Sequence, residues 1–425
     1  MSRPAVREFV APGIQVTPGE VLVPTEVGDP VRGPAPCPAA PLVGGSLARK
    51  GKQVGYAPVG HCVDPSDDEG GAAVFVATCL HRDGTTAAVA AAASPVDRVA
   101  VAAARAAVDE WSAVFGTRRL LAAASPWCDG ATQALDAVRR AVEGRGTVHV
   151  CGELAGDAEA IAGLAEQGVV FVRSLDQVPD GAAVVFPAHG ASPEAHAEAE
   201  TRGLEVIDAT CPLVARVHAE ARKFAERGDD LVLIGQPDHA AVAGIVGQAP
   251  AKTTVVSIST PASTSALQVA DARQVSYLVQ PGIPVEDFAP VTAALRSRFP
   301  AVRGPHPDGF CYAASDRAET IRVIASASDV MLVLGSPGSP DSKQISGLAR
   351  ACGARTHVIG EPGDIVPAML SGTSAIGVAE STSARPALAG QVTRALSGLG
   401  PLSVTNRRVS TDIVGVPSAW RSAPD

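Results

Sequence analysis

The sequence predicts an α/β protein: three related α/β lobes with mainly parallel sheets, preceded by an extra N-terminal region. Three observations lead there. From Arg118 onward, short β-branched runs alternate with segments of helical period. Within that alternation a strand–Cys–helix junction occurs three times, at Cys128, Cys211 and Cys311. Residues 1–117 lack the alternation. The expected division is therefore an N-terminal region of residues 1–117 and a three-lobed domain of residues 118–425. The lobes are expected at about 118–200, 201–300 and 301–425.

In the N-terminal region, "VLVPTEV" reads as a strand and "GDPVRGPAPCPAAP" as a Pro/Gly-rich loop. "LVGGSLARKG" suits a short helix, "KQVGYAPV" a strand, "CVDPSDDEGG" an acidic turn and "AAVFVAT" a buried strand. Val96 to Phe115 reads as a helix, with Val99, Ala103 and Val108 on the face of Trp111. The layout strand–Cys37–helix–strand weakly repeats the one around Cys128, so a degenerate fourth lobe and a chance likeness both stand open.

From Arg118 the order is "RLLAAAS", a helix from Asp129, "VHV", a helix near Ala158, "VVFV", "AAVVFPA", a helix, "LEVIDA", a helix and "LVLIG". After Cys211, the residues Val214, Val217, Ala221 and Phe224 fall on one helical face.

Composition narrows the function. The 425 residues are 46% hydrophobic, enough for a large core and more than one lobe. The net charge of −9 and the lack of a Lys/Arg-rich run argue against nucleic acid or an anionic membrane surface as partner. Aromatic residues make up only 4%, too few for base-stacking platforms. Met1 to Pro12 has no apolar signal segment, and no apolar run is long enough to span a bilayer. A soluble cytoplasmic protein is expected. In that setting its eight cysteines are thiols or metal ligands rather than disulfides.

A thiolate at a helix N-terminus is stabilised by unpaired N–H groups and the helix dipole. Three lobes, each presenting one such thiolate at a common centre, would make a three-cysteine iron–sulfur site. One iron of a four-iron cluster would then lack a protein ligand and be open to a substrate oxygen. The plain alternative is that each cysteine is a small apolar filler.

At these same residues the chain resembles the 4-hydroxy-3-methylbut-2-enyl diphosphate reductase (LytB) family. "LLAAASPWCDGATQALDAV", "VPDGAAVVFPAHGAS", "EVIDATCPLVARVHAEA", "LVLIGQPDHAAVAGIVGQ", "PDGFCYAASDRAET", "VLVLGSPGSPDSKQISGLA" and "GVAESTSARP" follow the family's blocks in order. The resemblance implies three lobes around a four-iron–four-sulfur (4Fe-4S) cluster. It also implies reductive removal of an allylic hydroxyl, giving isopentenyl and dimethylallyl diphosphates in the non-mevalonate route. Carried over residue by residue, Cys128, Cys211 and Cys311 hold the cluster, and His189, His239, Ser339 and Ser383 contact the diphosphate. The small-molecule partner is then an allylic diphosphate or analogue, and the electron donor a ferredoxin or flavodoxin.

Four positions depart from the family pattern. Its proton-relaying Glu is Ala241, and its His-Asn pair is Gly156-Asp157. Its Thr-Thr after Gln is Pro281-Gly282, and its Ser-Ser-Asn is Ser339-Pro340-Asp341. An alanine donates no proton, and a carboxylate facing a diphosphate repels it unless Lys343 or a metal offsets it. Asp129, Asp238, Asp341 and Glu380 are the candidate replacement acids. The expectation is a retained cluster with the family's reaction or a changed substrate. The alternative is a non-catalytic iron–sulfur redox sensor or scaffold protein. In that case Cys37, Cys62 or Cys79 would supply a fourth thiolate. The short "CLHRDG" with Cys79 and His81 reads as a strand end and a turn. An α/β protein with no cluster is the third reading.

Overall fold

A computed structural model describes residues 5–67, 70–123, 127–152, 154, 158–249, 253–257 and 261–411. The Gly156-Asp157 departure lies outside them. Two compact units divide the chain: residues 1–124 with 320–407, and residues 125–319 with 408–425.

The second unit holds two parallel sheets. The first runs in the order Glu205–Asp208, Ala183–Phe186, Val148–Cys151, Val169–Val172. The second runs Thr253–Ser257, Asp230–Gly235, Val275–Val279. All their ladders are parallel. Strands Ala183–Phe186, Asp230–Gly235 and Val275–Val279 are largely apolar and buried, as in parallel sheets covered on both faces, while the edge strand Glu205–Asp208 is mostly exposed. Helix Pro212–Glu226 buries Val214, Val217, Ala221 and Phe224, the face that the periodicity predicts, and His218 as well.

In the first unit, a five-stranded parallel sheet has the order Arg355–Ile359, Val330–Leu334, Ala375–Glu380, Arg118–Ala123, Leu402–Arg407. Strand Arg118–Ala123 thus pairs with strands from the end of the chain. Sequence distance hides this, because parallel neighbours need long connections.

The N-terminal residues add a six-stranded sheet to this unit, mostly antiparallel. Within it, Glu20–Asp29 and Gln53–Val59 are parallel and joined through helix Ala40–Arg49, so the strand–helix–strand layout exists locally. Gly33–Pro36 forms a hairpin strand where a loop is expected. Thr86–Ala93 pairs with Gly71–Leu80. "CLHRDG" closes that hairpin, with the His81 N–H donating to the Thr85 carbonyl at 2.8 Å.

Helix Arg98–Ser112 buries Ala100, Ala104, Ala107, Val108 and Trp111, while Val99 is 68% exposed. Val99 therefore does not share the Trp111 face. Small alanines pack on the sheet here, so side-chain size misled the periodicity. Trp111 Nε1 donates to Ser46 Oγ at 3.1 Å inside this core.

One continuous core joins the N-terminal sheet, from Phe9 to Val114, to Val330, Leu332, Leu334, Ile376 and Leu396. The join is tight at Gly45, where a Cβ would come 2.2 Å from the Gly363 carbonyl oxygen. Arg49, on the same helix, donates to the Gly363 carbonyl and to that of Ile365 at 3.4 Å. Gly45→Ala is therefore expected to destabilise this unit by about 1–3 kcal/mol, the usual cost of overpacking. Chemical denaturation of the purified variant reads that loss directly.

Candidate functional site

The three junction cysteines lie within the second unit. Strand Arg118–Ala123 ends just before Cys128, which caps helix Asp129–Arg145 and takes the Ala131 N–H on its sulfur at 3.4 Å. Cys211 caps helix Pro212–Glu226 with Pro212 in its first turn. Its own N–H donates to the Ala188 carbonyl at 3.0 Å, which docks it on the neighbouring strand end. Cys311 precedes helix Ala313–Ser326 but follows the 3-10 turn Pro307–Gly309, where a strand is expected, so only Cys128 and Cys211 lie between a strand and a helix.

The thiols converge. A Cβ on Gly130 would sit 2.6 Å from the Cys211 sulfur, so Cys211 lies against the first turn that Cys128 caps. Burial pushes the Cys311 thiol above its ordinary pKa. The N–H groups of Ala313 and Gly282 pull it down, and the neighbouring Cys128 and Cys211 push it up again. Cys311 thus feels both partners. Among the described residues, no three His, Cys, Asp or Glu side chains close on a point as a single metal ion requires. A cluster of several irons spreads its thiolates wider than one ion does. Three sulfurs that share one locus at helix N-termini fit such a group, with Cys128, Cys211 and Cys311 as the residues to hold it.

Cys37 and Cys62, by contrast, are enclosed in the core of the other unit. Burial raises the Cys37 thiol to about 12 and those of Cys62 and Cys79 to about 11. Neutral, core-packed thiols are poor ligands.

His189 follows Ala188, the residue that receives the Cys211 N–H. His239 caps helix Ala240–Gln248, and its Nδ1 accepts the Ala241 N–H at 3.1 Å. An accepting Nδ1 carries no proton, so the N–H of a neutral His239 ring is at Nε2. The two rings stand 4.8 Å apart, centroid to centroid, and nearly edge to face. Ala241 is fully buried in the first turn of that helix. The departure at Pro281-Gly282 has a visible use: Gly282, at φ +91°, turns its N–H toward the Cys311 sulfur.

Ser339 and Ser383 come together in the first unit, at the C-terminal ends of Val330–Leu334 and Ala375–Glu380. Ser339 caps helix Pro340–Ala351. Ser383 Oγ accepts the Ser336 N–H at 2.9 Å and lies 2.8 Å from Ser381 Oγ. Ser342 Oγ donates to Ser381 Oγ at 3.0 Å. Gly335, at φ +142°, is required here, because a Cβ would come 2.0 Å from Ser381 Oγ. Hydroxyls around a helix N-terminus form an anion nest. Ser342 and Ser381 belong to this hydroxyl cluster and the sequence reading missed them; the "SxxS" spacing and "EST" were the available signals. Asp341 has a structural duty: its carboxylate accepts the Thr382 N–H at 2.7 Å, tying the Ser381–Ser383 loop to the helix.

Of the other acids singled out, Asp129 pairs with Arg408 at 3.3 Å in the second unit. Asp238 is exposed beside His239. Glu380 ends the strand next to Ser381. Beside these sites, a cavity of about 520 Å³ in the second unit is lined by His196, His218, Arg222, Asp208 and Thr210. Burial, with Arg222 adding to it, holds the His218 pKa below the usual imidazole value. No helix among the described residues is long and apolar enough to cross a membrane.

Parallel α/β sheets that gather three helix-end thiols, with two imidazoles on the adjoining turns, define a lobed α/β oxidoreductase. Comparison with known proteins gives the family. The LytB protein family profile matches residues 120–397. The "4-hydroxy-3-methylbut-2-enyl diphosphate reductase 2" of Mycobacterium bovis is 41% identical over 310 residues, 71% of this chain and 94% of that protein. A reductase of the same name from Xanthomonas axonopodis is 37% identical over 67% of this chain and 92% of its own length. The solved Plasmodium falciparum reductase shares the fold, with a TM-score of 0.58 at 22% identity over 72% of this chain and 97% of its own. The chain belongs to the LytB family. The matched residues begin after the N-terminal region.

Asp341→Asn keeps an acceptor for the Thr382 N–H and removes a negative charge from the serine nest. It should tighten binding of inorganic diphosphate by roughly three- to tenfold, by Coulomb's law between the low- and high-dielectric limits. Titration calorimetry of the two proteins measures the change.

Proposed function

We propose that this chain is an iron–sulfur reductase of the non-mevalonate route that removes the allylic hydroxyl of 4-hydroxy-3-methylbut-2-enyl diphosphate. Two electrons and two protons convert the C–OH to C–H and release water, giving isopentenyl and dimethylallyl diphosphates. The observation that carries this reading is the meeting of Cys128, Cys211 and Cys311, which come from the starts of three separate helices.

Those three thiolates are the proposed ligands of a 4Fe-4S cluster. When bound, the cluster supplies electrons one at a time and a Lewis-acidic iron for the hydroxyl. The protein's own residues do the rest. His189, His239, Ser339 and Ser383 are the proposed diphosphate contacts. A small electron carrier such as ferredoxin or flavodoxin delivers the electrons. With alanine at position 241, proton delivery passes to the Nε2–H of His239, at the same helix end.

Three protein thiolates leave one iron open, which favours an enzyme over the sensor reading. Core burial of Cys37 and Cys62 supports this, since it leaves them poorly placed as a fourth ligand.

Anaerobic protein with its cluster reconstituted, given reduced viologen and 4-hydroxy-3-methylbut-2-enyl diphosphate, should form both products. Without the glutamate, turnover should fall below that of relatives carrying it by roughly 10²–10⁴-fold. No product from protein with an intact cluster overturns the substrate assignment. Serine at position 128, 211 or 311 should each abolish turnover and sharply lower bound iron, read by iron analysis and visible absorbance. Iron content unchanged in all three variants excludes them as the ligand set.

A further inference from the structure

Behind the His189–His239 pair lies a third imidazole. His218 sits on helix Pro212–Glu226, the one that Cys211 caps, and is 6% exposed. Its ring is wedged between two glycines. A Cβ on Gly190 would come 2.8 Å from its Cε1, and a Cβ on Gly244 would come 3.2 Å from its Nε2. Gly190 directly follows His189 and holds φ at +74°. Gly244 belongs to the helix that His239 caps. The same point above Gly244 is 3.5 Å from the His189 carbonyl oxygen.

One ring therefore packs against the turn carrying His189 and the helix carrying His239, while its own helix starts at Cys211. Its Nε2 is buried with no hydrogen-bond partner among the described residues. A leucine or methionine would fill the volume without that unmet polar atom, so packing alone is a poor reason for an imidazole here. Its position between the two histidine-bearing elements offers a better one.

We infer that His218 is a positioning residue. Wedged between Gly190 and Gly244, it sets the separation of the His189 and His239 rings and thereby their joint grip on a diphosphate. The inference rests on the reading that those two histidines bind the diphosphate. Two donors fixed on separate elements can share one small anion only if their spacing is held to within a fraction of an ångström or so. His218 also lines the 520 Å³ cavity, as do the exposed Asp208 and Arg222. Removing its ring would join that space to the gap behind His189 and give free imidazole a route in.

Binding of inorganic diphosphate to the cluster-loaded protein provides the test, by calorimetry on the unmodified protein, His218→Ala, Gly244→Ala and His189→Ala. His218→Ala should weaken binding by roughly ten- to a hundredfold, the scale of a misplacement near 1 Å. Its iron content should not change, and added imidazole should restore binding. Gly244→Ala adds one methyl to a helix, where alanine is favoured over glycine. It should push the ring and weaken binding in the same way, without rescue by imidazole, and it carries the test if His218→Ala does not fold. If His189→Ala is weakened but both other variants bind like the unmodified protein, the positioning role is wrong and the diphosphate reading stands. If His189→Ala itself binds normally, the diphosphate reading fails and this inference with it.

Discussion

Three sulfur atoms are brought to one locus by three helix N-termini, and the rest of the site is arranged around that crowding. Thiolates repel one another, and Cys311 carries the effect of both neighbours on top of burial. Such an arrangement is tolerable when amide N–H groups face the sulfurs and a cationic group sits among them. The amides are in place: Ala131 on Cys128, and Ala313 and Gly282 on Cys311. The glycines follow from the same constraint, since a side chain at Gly130 would collide with the Cys211 sulfur. Residues that look like loop filler in "CDG" and "QPG" are therefore set by the thiols.

The departures from the family pattern are less destructive than their chemistry suggests. Asp341 brings a charge but also ties the serine loop through the Thr382 N–H. Gly282 gives up a hydroxyl and supplies an amide to Cys311 instead. Ala241 is the exception: a fully buried methyl has no chemistry to offer, and only its backbone N–H is used, by His239. In the proposed function, binding and proton handling then fall on imidazoles and hydroxyls held by helix ends.

The N-terminal region has a different character. It shares a hydrophobic core with the later strands of its unit, through the Gly45–Gly363 approach and the Arg49 bonds to the carbonyls of Gly363 and Ile365. Arg118, nearly buried at the start of its strand, donates to the carbonyls of Val114 and Gly116 and to Thr373 Oγ1. This one guanidinium links the end of the N-terminal region to the loop before Ala375–Glu380. Cys37 and Cys62 of this region are core residues, which separates them from the three at helix ends although all carry the same thiol.

Much was legible in the sequence because it is local. Helix period, strand composition and a cysteine at a helix start are properties of ten or twenty adjacent residues, and they survive folding; the strand expected before Cys311 is instead the turn Pro307–Gly309. The parallel lobes, the three thiols at helix starts and the His239 cap all follow from such patterns. The sequence could not place Arg118–Ala123 beside Leu402–Arg407, because parallel pairing depends on partners hundreds of residues away. Nor could it show Val99 exposed beside buried alanines, Ser342 and Ser381 joined to Ser383, or His218 wedged between Gly190 and Gly244. Local pattern determined which residues start each helix. Close packing between distant segments alone decided which of them meet, because contact is set by the shape of the whole core.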